Sequence, residues 1–96
     1  MYGRLSLLQG RPGDRARMEP IADRFLPLFQ QQTGFRDVTF FLDERSGLYG
    51  SFSRWDTRED AEAAGDAMQS ELQQAVAEVG LLGPQIRIVE IYEPGG

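Results

Sequence analysis

The chain has 96 residues, with ten basic and fifteen acidic side chains and a formal net charge of −5 at pH 7. It contains no Cys and no His, all of its basic residues are Arg, and Asn and Lys are absent. These absences exclude disulfides, thiolate and imidazole metal ligands, a Ser-His-Asp triad and a lysine Schiff base. We therefore expect no metal and no cofactor, and any catalysis must use Asp, Glu, Arg, hydroxyl, aromatic or backbone groups.

The charge and hydropathy patterns also narrow the possible partners. An acidic surface repels phosphate backbones, so we expect no nucleic-acid partner. No apolar run reaches the length of a membrane span, and the N-terminus lacks a basic region followed by a sustained apolar stretch. We therefore expect a cytoplasmic protein with no membrane partner.

Four segments have the composition and alternation of β-strands. They are Tyr2–Gln9, Phe35–Leu42, Leu48–Trp55 and Gln85–Glu93. The second and third are separated by the polar turn Asp43–Gly47, which is typical of a hairpin because its Gly accepts positive φ. The sequence thus predicts an antiparallel hairpin flanked by a first and a last strand.

A first helix is predicted from Asp14, a suitable N-cap, to Thr33, because apolar residues recur at helical spacing. Gly34 would end this helix as the C′ residue. Pro20 and Pro27 each remove a helical hydrogen bond, so we expect a weak first turn and a bend near the second proline.

A second helix is predicted after Thr57, which together with Asp60 resembles a capping box, and Gly80 would end it. The resulting order is βαββαβ, a ferredoxin-like α+β plan with a four-stranded antiparallel sheet. Right-handed crossovers place both helices on one face of the sheet. We expect residues 1–96 to form one such domain.

The other face of the sheet is predicted to remain uncovered by helices. The sequence places Leu8, Phe41, Tyr49 and Trp55 on that face, where monomeric proteins seldom expose so large an apolar patch. Pairing two sheets face to face would cover it. We therefore predict a homodimer with two-fold symmetry, joined through the sheet face.

Three short motifs carry a resemblance to a known family. They are Gly34-Phe35-Arg36, the strand end Arg54-Trp55-Asp56, and the helix entrance Thr57–Ala63. Together with the βαββαβ order, they resemble the antibiotic biosynthesis monooxygenase (ABM) proteins of the dimeric α/β-barrel superfamily. The resemblance implies a dimeric α/β barrel in which these motifs are architectural. It also implies a range of roles, from cofactor-free oxidation of phenolic or quinol compounds to members with no known activity.

Some members of that family degrade haem, and the resemblance implies which residues do so. They use an Asn on the first strand and a Trp and a His on the second helix. This chain lacks Asn and His, and Ala63-Ala64-Gly65 occupies the region where the helical Trp would lie. Haem degradation by that mechanism is excluded.

Candidate ligand-binding residues lie on the first strand and on the strand that follows the hairpin turn. They are Arg4, Ser6, Tyr49, Ser51, Ser53 and Trp55. If the two strands are neighbours, Arg and Tyr could hydrogen-bond a phenolate or an enolate and stabilise its charge. The alternative is that the polar groups satisfy one another inside a dimer interface, and that Trp55 is a strand-end packing anchor.

Two functions are compatible with this set of residues. The first is a small-molecule-binding or stress-related homodimeric module with no haem chemistry, its ligand a small aromatic compound. The second is a cofactor-independent monooxygenase acting on an aromatic or quinol substrate. The scarcity of proton-transfer side chains favours the first.

Overall fold

The computed structural model describes residues 1–80 and 82–95 and has the predicted order of elements. The elements are β1 (Tyr2–Gln9), α1 (Arg15–Gln30), β2 (Phe35–Asp43), β3 (Leu48–Trp55), α2 (Arg58–Val79) and β4 (Leu82–Glu90). The strands form one four-stranded sheet in the order β2-β3-β1-β4, with every neighbouring pair antiparallel. This confirms the ferredoxin-like α+β fold.

Both helices pack on the same face of the sheet, as the crossover rule predicts. Helix α1 contacts β2, while α2 contacts β1, β3 and β4. The buried core between the layers has an aromatic part around Phe29 and Trp55 and a second part around Leu8, Met18 and Tyr49. Among the described residues, no helix is long and apolar enough to cross a membrane.

The assignment of residues to the two sheet faces needs a correction. Leu8, Tyr49 and Trp55 are buried beneath the helices, and not on the open face where the sequence pattern placed them. They share the covered face with polar side chains, because Leu8 pairs with Tyr49 and Ser6 with Ser51. The prediction was wrong because it assumed that the alternate strand residues that include Arg4 and Ser6 would face away from the core.

The open face, defined as the sheet face opposite the helices, carries the other set of alternating strand side chains. Its apolar residues include Leu5, Leu7, Phe41 and Phe52. The ring of Phe41 lies over Gly50, 2.7 Å from the position that a Cβ would occupy there. Of the four apolar residues predicted for this face, only Phe41 lies on it.

Helix α1 is shorter than predicted, and its two ends differ from the predicted caps. Asp14 occupies the N-cap position, but its side chain makes no capping hydrogen bond. The first turn is nevertheless formed, since the Met18 N–H donates to the Asp14 carbonyl at 3.0 Å. The helix continues through both prolines to Gln30, and Gly34, with φ +78°, shapes the turn into β2 and is not the C′ residue.

The ends of α2 match the prediction, whereas β4 is displaced along the sequence. The Thr57 hydroxyl accepts a hydrogen bond from the Asp60 N–H at 3.0 Å, and Gly80 has φ +70°. Strand β4 begins at Leu82 and ends at Glu90, because its pairing with β1 extends from Gln9 to Tyr2. Leu81, which the sequence pattern assigns to a connector between the second helix and the last strand, lies outside the described residues.

Candidate functional site

A cavity of about 530 Å³ lies between the helices and the covered face of the sheet. We call it the central cavity. Its walls are mainly apolar and come from both helices and three strands; they include Leu8, Met18, Ile21, Ala22, Phe25, Phe29, Phe40, Met68, Leu72 and Ala75. Two exposed carboxylate residues on α1, Glu19 and Asp23, also line it. The cavity is therefore an apolar chamber with a small number of polar groups.

Arg4 is the buried charged residue of this cavity. It is only 6% exposed, and its guanidinium makes no hydrogen bond or ion pair with any residue that the structure describes. Burial lowers the pKa of Arg4 from its usual value. Helix α2 passes over it at Gly65, where a Cβ atom would lie 3.2 Å from the Arg4 Nε.

Ser6 and Ser51 form a cross-strand pair beside Arg4 on the covered face. Both are buried, and both line the central cavity. Neither hydroxyl has a partner within residues 1–80 and 82–95, and neither is sealed from the cavity. They are therefore available to hydrogen-bond a molecule that occupies it.

The hydroxyl of Tyr49 has a different environment from those of the two serines. Its ring lines the central cavity, but its O–H donates to the Arg11 carbonyl in the loop before α1, at 3.2 Å. This bond ties the end of β3 to that loop. Tyr49 is predicted from sequence to bind the ligand; the structure assigns its ring to the cavity wall and its hydroxyl to the loop.

Ser53 and Trp55 do not line the central cavity. The indole Nε1–H donates to the Ser53 Oγ at 2.9 Å, and the Ser53 hydroxyl donates to the Arg4 carbonyl at 3.4 Å. The Trp55 ring is fully buried, with centroid distances of 5.5 Å to Phe35 and 6.3 Å to Phe29. This placement is that of the strand-end anchor, and a ligand role for either residue stays a prediction.

The motifs that carried the family resemblance meet at one corner of the molecule, away from the cavity. The Asp56 N–H donates to the Gly34 carbonyl at 2.9 Å, and Arg36 forms an ion pair with Asp56. A side chain at Gly34 would collide with Asp60 in the first turn of α2. These residues join β2, β3 and α2, so their role in this chain is architectural.

Sequence reasoning missed the helix residues that shape the space around Arg4. The helical spacing of residues such as Met68 and Ala75 predicts a buried face of α2, but helical spacing cannot distinguish a packed layer from a hollow one. The sequence feature that could have indicated this space is a set of small residues on the face of α2 toward the sheet: Ala61, Ala64, Gly65 and Ala75. Small side chains on an inner helix face leave room above the sheet.

A second cavity, of about 450 Å³, lies between α2 and β4. Arg4 borders it as well, together with Glu62, Asp66, Ile86 and Ile88. Arg4 thus separates two spaces beneath the same helix. No group of three or more carboxylate side chains suited to a metal ion occurs in the described part of the chain.

No protein-family model and no curated protein matches this chain. Solved structures do match it over nearly its whole length. A protein of Deinococcus radiodurans, provisionally described as an antibiotic biosynthesis monooxygenase, superposes with a TM-score of 0.81 at 13% identity, covering 100% of this chain and 97% of its own. A protein of Nitrosomonas europaea with the same provisional description gives a TM-score of 0.78 at 12% identity, over 97% and 100% of the two chains. The chain has the ABM-like fold.

A third structure with the ABM-like fold has a stated activity. SnoaB of Streptomyces nogalater, a cofactor-independent oxygenase, gives a TM-score of 0.72 at 18% identity, covering 98% of this chain and 95% of SnoaB. At such identities the likeness concerns the fold.

Proposed function

We propose that this protein binds a small, largely apolar molecule in the central cavity. The observation that carries the proposal is the cavity itself, whose volume of about 530 Å³ lies within the roughly 300–1,000 Å³ range of small-molecule sites. Its lining supports the same conclusion, since apolar walls with a few convergent polar groups are typical of ligand sites. An empty space of this size would be an unusual feature of a packed core.

The distribution of side chains indicates how such a molecule would lie. Phe25 and Phe29 from α1, with Phe40 from β2, present aromatic surfaces suited to a planar ring. Arg4 and the serine pair place the hydrogen-bonding groups on the floor of the cavity, on β1 and β3. A ligand with an aromatic body and one polar end fits this arrangement.

A cavity-filling substitution tests the proposal without removing any polar group. Ala22 lines the cavity on α1, whereas Ala16 is exposed on the same helix outside it. We expect isothermal titration to show wild-type binding within a series of planar aromatic amides of one to three fused rings, from benzamide to anthracene-2-carboxamide, or their carboxylates. Ala22→Trp should abolish this binding and Ala16→Trp should retain it. Equal binding by the two variants would contradict the proposed site.

We also propose that two copies associate through the open face of the sheet. This proposal is supported by the apolar surface that no helix among the described residues covers, formed by Leu5, Leu7, Phe41 and Phe52. A domain of this size buries a modest share of its surface alone, so a second sheet would add burial. The central cavity lies on the opposite face and would remain accessible in such a dimer.

A second candidate function is cofactor-independent monooxygenation of an aromatic or quinol substrate. Arg4 supports it, since a buried cation would stabilise negative charge on a deprotonated ring. The fold shared with SnoaB also supports it. Dioxygen consumption with a panel of dihydroxynaphthalenes tests this function. Consumption that stops in Ala22→Trp but persists in Ala16→Trp would favour the oxygenase, and no consumption by the wild type would exclude it for this substrate class.

A further inference from the structure

We infer that the ligand of the central cavity is an organic carboxylate whose anionic group pairs with Arg4. The inference rests on the proposed function and adds the charge and the orientation of the ligand. The apolar body would lie against the aromatic walls, and the carboxylate would lie on the sheet floor between Arg4 and the Ser6–Ser51 pair.

Arg4 places a positive charge, unpaired within the described residues, in the wall of a largely apolar cavity. A guanidinium stays protonated in proteins, so its transfer from bulk water into a largely apolar cavity wall without a charged partner is unfavourable. Arg4 is 6% exposed and has no carboxylate within 4.0 Å in the described part of the chain. The pKa of Arg4 is lowered by desolvation, and no neighbouring charge opposes that effect. A bound anion would supply the missing compensation.

The space around the Arg4 guanidinium is bounded on one side by the α2 backbone at Gly65. Gly65 leaves the α2 backbone without a side chain where Arg4 passes beneath it, and a Cβ there would crowd Nε at 3.2 Å. Arg4 also borders the central cavity, and no side-chain hydrogen bond to a described residue opposes the effect of its desolvation. Two parallel N–H donors match the two oxygens of a carboxylate, and the nearby serine hydroxyls can donate to the remaining lone pairs.

The other charged groups around these cavities do not replace a ligand carboxylate. Glu19 and Asp23 line the central cavity from α1, and Glu62 and Asp66 line the second cavity from α2. All four are on exposed or solvent-facing positions of their helices, where water and salt screen their charges. None of the described carboxylates pairs with Arg4, which leaves that position to the proposed ligand.

Matched pairs of probes test the inference, each pair differing only in charge. They are benzoate with benzamide, 2-naphthoate with 2-naphthamide, and anthracene-2-carboxylate with anthracene-2-carboxamide. Isothermal titration compares the wild type with Arg4→Gln and with Arg45→Gln, an equal change of charge in the exposed hairpin turn. We expect the wild type and Arg45→Gln to bind at least one acid about tenfold or more tightly than its amide. Arg4→Gln should bind the two members of that pair about equally.

The possible results separate the inference from the proposed function. Equal binding of acid and amide by the wild type overturns the inference and leaves the cavity a site for neutral ligands. A preference for the acid that persists in Arg4→Gln also overturns it, since the anion would then be held elsewhere. Binding of none of the six probes by the wild type contradicts the proposed function as well. The wild-type comparison needs no variant, so it stands even if Arg4→Gln lowers stability.

Discussion

Arg4 and Tyr49 lie on the same face of neighbouring strands, yet their polar groups have different surroundings. The Arg4 guanidinium borders the cavities and has no partner in the described part of the chain, whereas the Tyr49 hydroxyl is bonded to the Arg11 carbonyl. Strand alternation could predict that both residues share a face. It could not predict the bond to Arg11, because that depends on how the loop before α1 folds back over β3.

The hydroxyl of Tyr49 is therefore expected to stabilise the fold and to take no part in ligand binding. Tyr49→Phe should lower the free energy of unfolding by about 0.5–1.5 kcal/mol, since a single neutral hydrogen bond is lost. Affinity for 2-naphthoate should be unchanged, as the ring that lines the cavity is retained. Urea unfolding and isothermal titration measure the two effects separately. A large loss of affinity with unchanged stability would show that the hydroxyl contacts the ligand.

The helices show which terminal signals can be read from sequence. Thr57 caps α2 through its side chain, but Asp14 holds the N-cap position of α1 without capping it and instead accepts from the Arg11 N–H at 3.4 Å. Both residues are favoured N-caps by type, with Asp ranked above Thr. Their difference arises from the Gly-rich loop before α1, which fixes the backbone of Asp14 at φ −82° and ψ 17°, outside the extended region of a usual N-cap.

The two cap positions should consequently differ in their contribution to stability. Thr57→Ala should lower the free energy of unfolding by about 1 kcal/mol, because the Asp60 N–H loses its acceptor. Asp14→Ala should lower it by less than about 0.5 kcal/mol, as expected for a half-buried side chain without a capping bond. Urea denaturation of the two variants measures the difference. Equal losses would contradict the assignment of the caps.

The β2–β3 hairpin carries a surface ion pair between Asp37 and Arg54, whose stabilising effect should depend on pH. The hydrogen bond from Arg54, and secondarily its charge, lowers the pKa of Asp37 below its usual 3.8. A lowered carboxyl pKa contributes stability above 3.8 that is lost as pH falls through the folded value. Wild type should therefore melt at a higher temperature than Asp37→Asn at about pH 6 and at nearly the same temperature at about pH 2.

A second carboxylate provides the reference for that experiment. Asp23 is exposed on α1 and makes no ion pair with any described residue. Asp23→Asn should change the melting temperature little at about pH 6. A difference between wild type and Asp37→Asn that stays constant down to about pH 2 would show that the ion pair does not contribute.

At the scale of the whole molecule, the sequence predicted the topology but not the orientation of the sheet. The βαββαβ order and the crossover rule determine that both helices cover one face. They do not determine which of the two sets of alternating strand residues faces the helices. Leu5 and Phe52 are as apolar as Leu8 and Trp55, and only packing against the helices distinguishes the two pairs. Trp55 packs in one cluster with Ala61 and Ala64 of α2, and Leu8 packs in the other with Met18 and Val79. The central cavity could not be predicted from the sequence either, because it forms only where the helix layer packs over the sheet.

The open face is expected to mediate self-association. Light scattering of the wild type should give twice the 10.8 kDa mass of one chain. Leu7→Glu should give a monomer, since it places a charge in the middle of the open face. Leu26→Glu, a matched change at a residue 39% exposed on α1, should leave the mass unchanged. A wild-type mass near that of one chain would contradict the dimer.

The space between the helices and the sheet is the proposed ligand site. Methyl NMR of the protein titrated with 2-naphthoate tests it most directly. Leu8, Met18, Met68 and Leu72 line the cavity, whereas Leu5 and Leu7 lie on the open face. We expect nuclear Overhauser effects from the ligand to the methyl groups of the cavity residues and none to the two open-face leucines. Contacts confined to those leucines, or no contacts at saturating probe, would contradict it.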